Sequence, residues 1–414
     1  MRSPVFWVVL LAAVIRSSGS ETTETLNPFV VTATRTPQPL AHTAVAVDVF
    51  TEGQLKNLPG QTIDDVLRTD AAFSLFRRSG SLFANPTAQG VSLRGIGPSG
   101  ASRSLVLLDG VPLNDPFGGW VTWSAVPEGS LSRVEIVRGG GSSAWGNSAL
   151  GGTVQLFSSP PVAGVSRLDV EAGDYGTRRG NFDVAADRGS GAIEVDGGAF
   201  ATDGFYVVNS NQRGVVDRPL DSSHEVARMR WQTSVGSTTE ANVSATFFNE
   251  DRGNGTILQN NHTQSESVAA TLSGSPDRNR SWSAVAYVLD ERFSSLFSSV
   301  NATRTAETPA NNQFNVPAVA SGGSLQGTWS QGHGTTTLGG DVRWVKGETR
   351  EDFMFIGNEF TRQRFAGGQQ FFAGVFGSRA QVLSPVWNLT AGLRADYWRN
   401  FDGHRRETDR ATGV

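Results

Sequence analysis

The pattern of apolar and polar positions along the chain changes at Pro160 and Pro161. Before these prolines, short apolar runs alternate with stretches that have helical spacing. After them, apolar and polar residues alternate with a period of two, which is typical of β-strands with two different faces. We count about eleven such segments of about ten residues each. The pattern therefore predicts two regions of different architecture.

The clearest alternating segment covers residues 387–397. Its odd positions carry apolar or small side chains, with Trp387 and Tyr397 at the two ends, whereas its even positions are polar or glycine. Ten residues at about 3.3 Å each, tilted by about 45°, span about 23 Å, which matches the apolar band and aromatic girdles of outer-membrane barrels. A soluble sandwich strand alternates in the same way, but the aromatic ends favour a closed barrel in lipid.

Residues 44–160 have the pattern of a small α+β domain. Thr51 and Gln54 have the spacing of a capping box, which predicts the start of a helix. The run 104–108 is apolar apart from its first residue, so we expect a buried strand that turns back at the following Asp-Gly pair. The predicted elements are a strand at 44–50, helices after Thr51 and Thr62, and strands at 104–108 and 131–138.

The N-terminus has the pattern of a secretory signal. Arg2 precedes an apolar run at 5–15 and a small-residue stretch at 17–20. Eleven apolar residues span about 16 Å as a helix, too short for about 30 Å of hydrocarbon. A buried core helix is the alternative. Residues 21–43 contain three prolines and are predicted to be an extended, mobile tether.

Composition narrows the class of protein further. Of 414 residues, 18% are charged, 48 are glycine and none is cysteine, whereas soluble domains carry about 25% charged residues and about 7% glycine. The lack of cysteine excludes a disulfide scaffold, a thiolate metal site and cysteine catalysis. A net charge of -4 offers no attraction to nucleic acid.

Four motifs of the α+β segment resemble, in the same order, the plug domain of TonB-dependent outer-membrane receptors. They lie at residues 91–95, 105–112, 132–139 and 143–154. The resemblance covers about residues 29–159 and implies a transmembrane antiparallel β-barrel with an N-terminal α+β plug domain in its lumen. The expected organisation is a signal peptide at 1–20, a periplasmic tether at 21–43, the plug at 44–160 and a partial barrel at 161–414.

The length bears on whether this barrel is complete. Removing 160 residues from 414 leaves 254 for a barrel that must enclose the plug. Barrels that hold a plug have about 22 strands, whereas eight-stranded barrels are filled by their own side chains. We therefore expect the N-terminal part of a longer receptor, with about half of its strands.

The resemblance also implies a TonB box in the tether. An extended, β-branched segment can add main-chain hydrogen bonds to the sheet edge of a partner, which is the TonB protein of the inner-membrane energising complex. A disordered linker with chance apolar residues is the alternative. The predicted partner-binding residues are Phe29, Val30, Val31, Thr32 and Ala33.

Two further groups of residues follow from the resemblance. Plug arginines are expected to line the plug–barrel interface, where barrel carboxylates such as Asp169 and Glu171 would pair with them; solvated surface is the alternative. Aromatic and polar side chains of outward plug loops would bind a bulky ligand, or the aromatics pack on the barrel wall. The interface arginines are Arg94, Arg103, Arg133 and Arg138, and the ligand-binding candidates are Arg77, Arg78, Phe83, Asn85, Asn114, Phe117 and Trp120.

Three enzyme-like patterns lack their structural context. Residues 95–100 satisfy G-x-G-x-x-G, but a strand follows them instead of a helix. His224-Glu225 lacks a second histidine at the required spacing, and Asp64 and Asp65 point about 100° apart on a helix. We therefore expect no enzyme, no cofactor and no resident metal.

The resemblance implies an outer-membrane receptor for the energised import of a scarce, large solute, such as a ferric siderophore, cobalamin or a similar chelate. Expected partners are TonB, the solute, outer-membrane lipid and the barrel assembly machinery, but not nucleic acid, and the receptor is expected to be a monomer. Two alternatives stay open: a passive or adhesive barrel without energy coupling, and a soluble periplasmic β-sandwich enzyme.

Overall fold

The structure is a computed structural model that describes residues 29–40, 43–77, 79–97, 99–139, 141–384 and 386–413. The predicted signal peptide and residues 21–28 of the predicted tether lie outside the described residues. None of the helices in the described ranges is long and apolar enough to cross a membrane.

The N-terminal domain is built on a five-stranded sheet in the order β3-β8-β9-β6-β7. Strands β6 and β9 are parallel, and the other neighbours are antiparallel. In chain order, the elements are β1 (Phe29–Val30), β2 (Gln38–Pro39), β3 (Ala46–Thr51), α1 (Glu52–Asn57), α2 (Ile63–Leu67), β4 (Phe73–Leu75), β5 (Val91–Leu93), β6 (Ser104–Leu108), β7 (Val111–Pro112), β8 (Leu131–Arg138), α3 (Ser142–Trp145) and β9 (Gly152–Ser158).

Local sequence signals account for several element boundaries in this domain. The Thr51 hydroxyl accepts the N–H of Gln54 at 3.4 Å, and the Gln54 side chain accepts the N–H of Thr51 at 2.9 Å, which confirms the capping box. Asp109 and Gly110 have φ values of 50° and 85°, as a tight turn between β6 and β7 requires. Behind the sheet, the buried Trp123 ring packs edge-on against Phe73 with 5.8 Å between centroids.

The rest of the described chain forms one antiparallel sheet of eleven strands, in which each strand pairs with its sequence neighbours. Within the described residues, β10 and β20 are each paired on one side only. The strands are β10 (Ser166–Ala172), β11 (Arg178–Arg188), β12 (Gly191–Thr202), β13 (Ser222–Val235), β14 (Thr239–Gly253), β15 (Asn260–Asp277), β16 (Arg280–Val300), β17 (Glu307–Gln331), β18 (Gly334–Ile356), β19 (Glu359–Ser384) and β20 (Trp387–Asp409).

The prediction of about ten residues per strand is wrong for the later strands. Strand length increases from 7 residues in β10 to 26 in β19. Twenty-six residues tilted by about 45° reach about 60 Å, far beyond an apolar band of about 25 Å. The outer halves of these strands mix charged and polar residues with apolar ones, as at Arg350, Glu351 and Asp352 of β18, so the sequence pattern marks only their lipid-facing part.

The two faces of the large sheet differ as the alternation predicts. On β20, Trp387, Leu393 and Tyr397 are 69%, 83% and 57% exposed on the outward face. The opposite, inner face packs against the N-terminal domain. There, Trp120 of the domain contacts Phe293 and Val316 of the sheet; likewise, Val111 packs against Tyr287 and neighbouring residues.

Replacing Leu393 by arginine tests the outward face. Leu393 lies near the middle of the stretch between the two terminal aromatic residues of β20, and a charge at the bilayer midplane costs about 2–4 kcal/mol on the lipid face of a barrel. We expect L393R to lower the membrane-inserted fraction, measured by heat-modifiable gel mobility during urea titration. Asn388→Arg, on the inner face of the same strand, should change the membrane-inserted fraction little. If both variants lower this fraction equally, Leu393 does not face lipid.

Candidate coupling and solute-binding site

The first described residues of the chain fold back onto the N-terminal domain. β1 and β2 form a small hairpin in which Val30 is fully buried, whereas Phe29 is 57% exposed. The N–H groups of Val31 and Thr32 donate to Oε2 of Glu135, on β8, at 2.9 and 2.8 Å. The Thr32 hydroxyl donates to the same oxygen at 2.6 Å. A buried carboxylate of the domain therefore binds the backbone of this segment.

Residues 29–36, called the docked segment below, also reach the inner face of the large sheet. The Arg35 guanidinium lies 4.0 Å from the ring centroid of Trp145 and 4.6 Å from that of Phe376. It also forms an ion pair with Asp341 at 2.9 Å, and Arg35 is 8% exposed. The docked segment thus links the domain to strands β18 and β19.

Asp341 is shared with a second arginine. Arg394 of β20 donates to both Asp341 oxygens at 2.7 and 2.8 Å and to the carbonyl of Ala144 at 3.2 Å. Asp396 accepts from Nε of Arg394 at 2.8 Å, so two carboxylates balance the two guanidinium groups. Loss of Asp341 would leave Arg35 without its carboxylate in a buried position.

Arginines of the large sheet hold the domain at a different place. Arg228 and Arg230 of β13 each face a carboxylate across the β12–β13 pair and use their remaining donors on the end of β9. All four charged side chains are 2 or 3% exposed. The bonds are Arg228 to Asp196 (3.0 Å) and to Ser158 Oγ (2.8 Å), and Arg230 to Glu194 (2.6 Å) and to the Ser159 carbonyl (2.8 Å).

A third arginine, Arg252 of β14, also joins a buried acid to the domain, but its acid lies two residues away on the same strand. It pairs with the fully buried Glu250 and donates to the carbonyls of Ser81 and Ala84. Ser124 donates to the same Glu250 carboxylate at 2.6 Å. One side of the domain is therefore attached to β12–β14 by buried, charge-assisted hydrogen bonds, which are among the stronger kinds in proteins.

Comparison with known families identifies the N-terminal domain. Residues 39–153 match the family model of the TonB-dependent receptor plug domain. The domain is a TonB-dependent receptor plug. The large sheet that follows it has the fold of the barrel wall of such receptors, so the predicted family and fold class are confirmed.

Individual relatives cover the chain to different extents. The vitamin B12 transporter BtuB of Vibrio vulnificus (strain CMCP6) is 26% identical over 186 residues, which are 44% of this chain and 29% of that protein. FpvA of P. aeruginosa, solved with bound heterologous pyoverdines, has a TM-score of 0.72 at 13% identity and covers 92% of this chain and 55% of that one. The ferric yersiniabactin uptake receptor FyuA from Yersinia pestis has a TM-score of 0.69 at 13% identity, covering 89% and 58%.

The chain therefore spans little more than half the length of these two solved receptors. Their likeness to this chain is one of fold. The outer-membrane location predicted from the sequence is confirmed by the plug and by the barrel-wall fold.

Of the four plug arginines predicted to line the barrel interface, two form ion pairs within the plug and two are exposed. Arg133 pairs with Glu135 at 3.0 Å, and Arg138 pairs with Asp48, both inside the plug. Arg94 and Arg103 are exposed, as are Asp169 and Glu171 of β10. A role of the four arginines in plug attachment stays a prediction. Ion-paired arginines that bind the plug from the barrel include Arg179, Arg228, Arg230, Arg252 and Arg394.

Sequence reasoning missed these barrel arginines, although a signal for them exists. Glu194 and Asp196 alternate on one strand, and Arg228 and Arg230 alternate on the next, all at positions opposite the lipid-facing residues. Charged residues at matched inner positions of neighbouring segments predict cross-strand pairs. The sequence pattern does not predict which plug atom each arginine also binds.

Most ligand-binding candidates have packing or capping contacts, and their role in binding stays a prediction. Trp120 packs on Phe293, and the backbone of Gly347 lies against the Phe117 ring. Arg78 lies outside the described residues. Of the others, Arg77 lies near the Phe76 ring, Phe83 packs edge-on to Phe205, Asn85 caps a 3-10 helix and Asn114 binds the backbone of β6.

Outer connections of the barrel wall are bound to one another through Asp217. Its carboxylate accepts from Nε of Arg304 at 2.8 Å and from the N–H of Gly214 at 2.7 Å. The hydrogen bond from Arg304 is the main reason that the pKa of Asp217 falls to about 2. The pair joins the connections at 203–221 and 301–306, and Asp217 also bridges to Thr256 in a third connection.

Removing the Asp341 carboxylate should release the docked segment. A buried ion pair that loses one partner is destabilised by about 3–5 kcal/mol, because the other charge stays buried and unpaired. We expect Asp341→Asn to sharpen the electron paramagnetic resonance spectrum of a spin label at Thr34→Cys, in a chain with no native cysteine. Asp396→Asn is the matched control, since Asp396 binds Arg394 without a described bond to Arg35; equal broad spectra in all forms would contradict the prediction.

Replacing Asp217 by asparagine should loosen the outer connections. The lowered pKa means that the carboxylate stabilises the folded loops fully above its ordinary pKa of about 3.9 and loses this effect as the pH falls through about 2. At pH 7, we expect trypsin to cleave Asp217→Asn severalfold faster after Arg213 and Arg218, whereas the wild type stays protected between pH 5 and 8. Asp251→Asn, in a neighbouring hairpin, serves as the control; unchanged cleavage of Asp217→Asn would show that Arg304 does not hold the loops.

Proposed function

We propose that the chain belongs to an energy-coupled outer-membrane importer, in which TonB binds the docked segment and pulls it away from the plug. The observation that carries this proposal is the position of residues 29–36 between plug and barrel wall. A pull toward the periplasm would act on Glu135, Trp145 and Asp341 in succession. Hydrogen bonds to charged groups contribute about 1.5–3 kcal/mol each, so a sustained force can break a few of them one after another.

Two cavities near the docked segment support a path for the solute. One, of about 90 Å³, is lined by Arg35, Trp145, Tyr287 and Asp341 between plug and wall. The other, of about 140 Å³, is lined by Thr34 and Thr36 together with the barrel turns. Because the docked segment contributes to the walls of both cavities, its removal would enlarge the space between plug and wall.

The solute that we propose is a bulky chelate, such as a ferric siderophore or cobalamin. The matched proteins include a vitamin B12 transporter and receptors whose names refer to pyoverdine and ferric yersiniabactin. Plug loops with Arg77, Phe83 and Phe117, together with the outer connections of the wall, would contact the solute. The apolar outward face of the barrel supports outer-membrane lipid as a further partner, and we retain a monomer and the barrel assembly machinery as parts of the proposal.

A passive or adhesive barrel is the competing function. It predicts uptake that is the same with and without an uncoupler of the proton-motive force. The test is uptake of radiolabelled cyanocobalamin and of a ferric siderophore mixture by cells that carry the intact receptor, with deletion of its gene as the baseline. Uptake that needs the gene but survives the uncoupler would favour the passive barrel.

Replacing Val30 by proline tests the coupling segment. Proline removes an N–H donor from the strand that would pair with TonB, so we expect energised uptake to be abolished while solute binding at the cell surface is retained. Val30→Ala is the control, because it keeps the donor. Normal energised uptake by Val30→Pro would eliminate residues 29–33 as the TonB box.

A further inference from the structure

The peptide groups around Thr32 are bound on both sides by plug side chains. On one side, Glu135 Oε2 accepts the N–H groups of Val31 and Thr32 at 2.9 and 2.8 Å. On the other side, the indole N–H of Trp145 donates to the Thr32 carbonyl at 2.8 Å. Side chains of β8 and α3 thus occupy the main-chain donors and the acceptor at the centre of the segment.

Strand addition requires these same groups. A segment that joins the sheet edge of a partner exchanges its main-chain N–H and C=O groups with that edge, residue by residue. A peptide group already bound to Glu135 and Trp145 is not available for this exchange, and Val30 beside it is fully buried. Docking on the plug and pairing with a partner strand are therefore mutually exclusive at Thr32.

We propose that Glu135 and Trp145 are positioning residues that set the affinity of the receptor for TonB by holding the Thr32 peptide groups in the docked state. This inference rests on the proposed function, since it takes TonB as the partner of residues 29–33. It adds that the plug side chains of Glu135 and Trp145, and not the sequence of residues 29–33 alone, set the fraction of receptors in which this segment is undocked and able to pair with TonB.

Glu135 suits this role because of its surroundings. It is fully buried, and its second oxygen accepts from Nε of Arg133 at 3.0 Å, which balances its charge without using Oε2. The Arg133 guanidinium lies in turn 4.1 Å from the Phe157 ring centroid. Oε2 is left for the docked segment, whose Thr32 hydroxyl adds a third hydrogen bond at 2.6 Å.

Trp145 contributes both a donor and a surface. Its indole N–H binds the Thr32 carbonyl, while its ring carries the Arg35 guanidinium at 4.0 Å from the centroid. Phenylalanine in its place would keep an aromatic surface for Arg35 but remove the donor. Trp145→Phe therefore separates the hydrogen bond from the stacking contact.

The test compares Glu135→Gln and Trp145→Phe in the intact receptor in lipid vesicles. Glutamine keeps the size of the side chain but loses a charged acceptor. The first readout is amide hydrogen exchange of residues 29–33, relative to the plug strands β8 and β9. The second readout is binding of the purified periplasmic domain of TonB without added solute. Glu52→Gln, in an exposed helix of the plug, is the matched control.

We expect each variant to speed exchange of residues 29–33 about tenfold, equivalent to about 1.4 kcal/mol, with unchanged exchange in β8 and β9. Solute-free binding of the TonB domain should strengthen in the same proportion. Unchanged exchange at residues 29–33 would overturn the proposed role of Glu135 and Trp145. Faster exchange without stronger TonB binding would also overturn it, provided that the wild-type receptor binds the TonB domain. Absence of TonB binding in every form, wild type included, would instead overturn the proposed function. Faster exchange throughout β8 and β9 would assign Glu135 a purely structural role.

Discussion

The attachment of the plug depends on one property of the guanidinium group, which has more N–H donors than a single carboxylate can accept. Arg228, Arg230 and Arg252 each satisfy a buried acid of the barrel wall and still have donors for serine hydroxyls or backbone carbonyls of the plug. A lysine could not bridge both partners with the same planar geometry. Because the arginine and its acid both belong to the wall, the charges stay balanced whether or not the plug moves. The plug is thus bound here mainly through neutral groups, which lose little when water replaces the arginine; in addition, its Asp109 carboxylate lies 3.9 Å from the Arg228 guanidinium.

The plug has a second attachment of a different kind. On the side of β18–β20, Asp341 is shared by Arg394 of the wall and Arg35 of the docked segment. Here one of the charges belongs to the part that would be pulled. Removing the docked segment separates a cation from an anion, and the remaining Arg394 can then take the whole Asp341 carboxylate. The attachment on the side of β12–β14 contains no residue of the docked segment, so the two sides respond differently to the same pull.

Local structure followed from the sequence, whereas contacts between distant segments did not. The capping box at Thr51 and the turn at Asp109 and Gly110 involve neighbouring residues, and the alternation of β20 involves one strand, so short patterns were sufficient. The lengths of β15–β19 were underestimated because their outer halves, paired to other strands in water, need no apolar face. The docked segment lies within residues 21–43, which were predicted to be a mobile tether because they contain three prolines and many threonines. That local pattern does not reveal Glu135 or Asp341, which lie about 100 and 300 residues away. The roles of the candidate ligand residues depend on a solute and stay predictions.

The outer rim of the described wall is constructed in two ways. Near β12 and β13 the strands are short, and a connection at 203–221 rises above them, held by Asp217 and Arg304. Near β18 and β19 the strands themselves continue outward and are joined by only residues 357 and 358. An insertion in the first part changes one loop. An insertion of one residue within a strand of the second part shifts the pairing register and turns the later side chains of that strand to the opposite face. Evolution can therefore remodel one half of the rim freely by insertions and deletions, whereas the other half tolerates exchanges at fixed positions, insertions of residue pairs, or bulges like those already present in β16–β20.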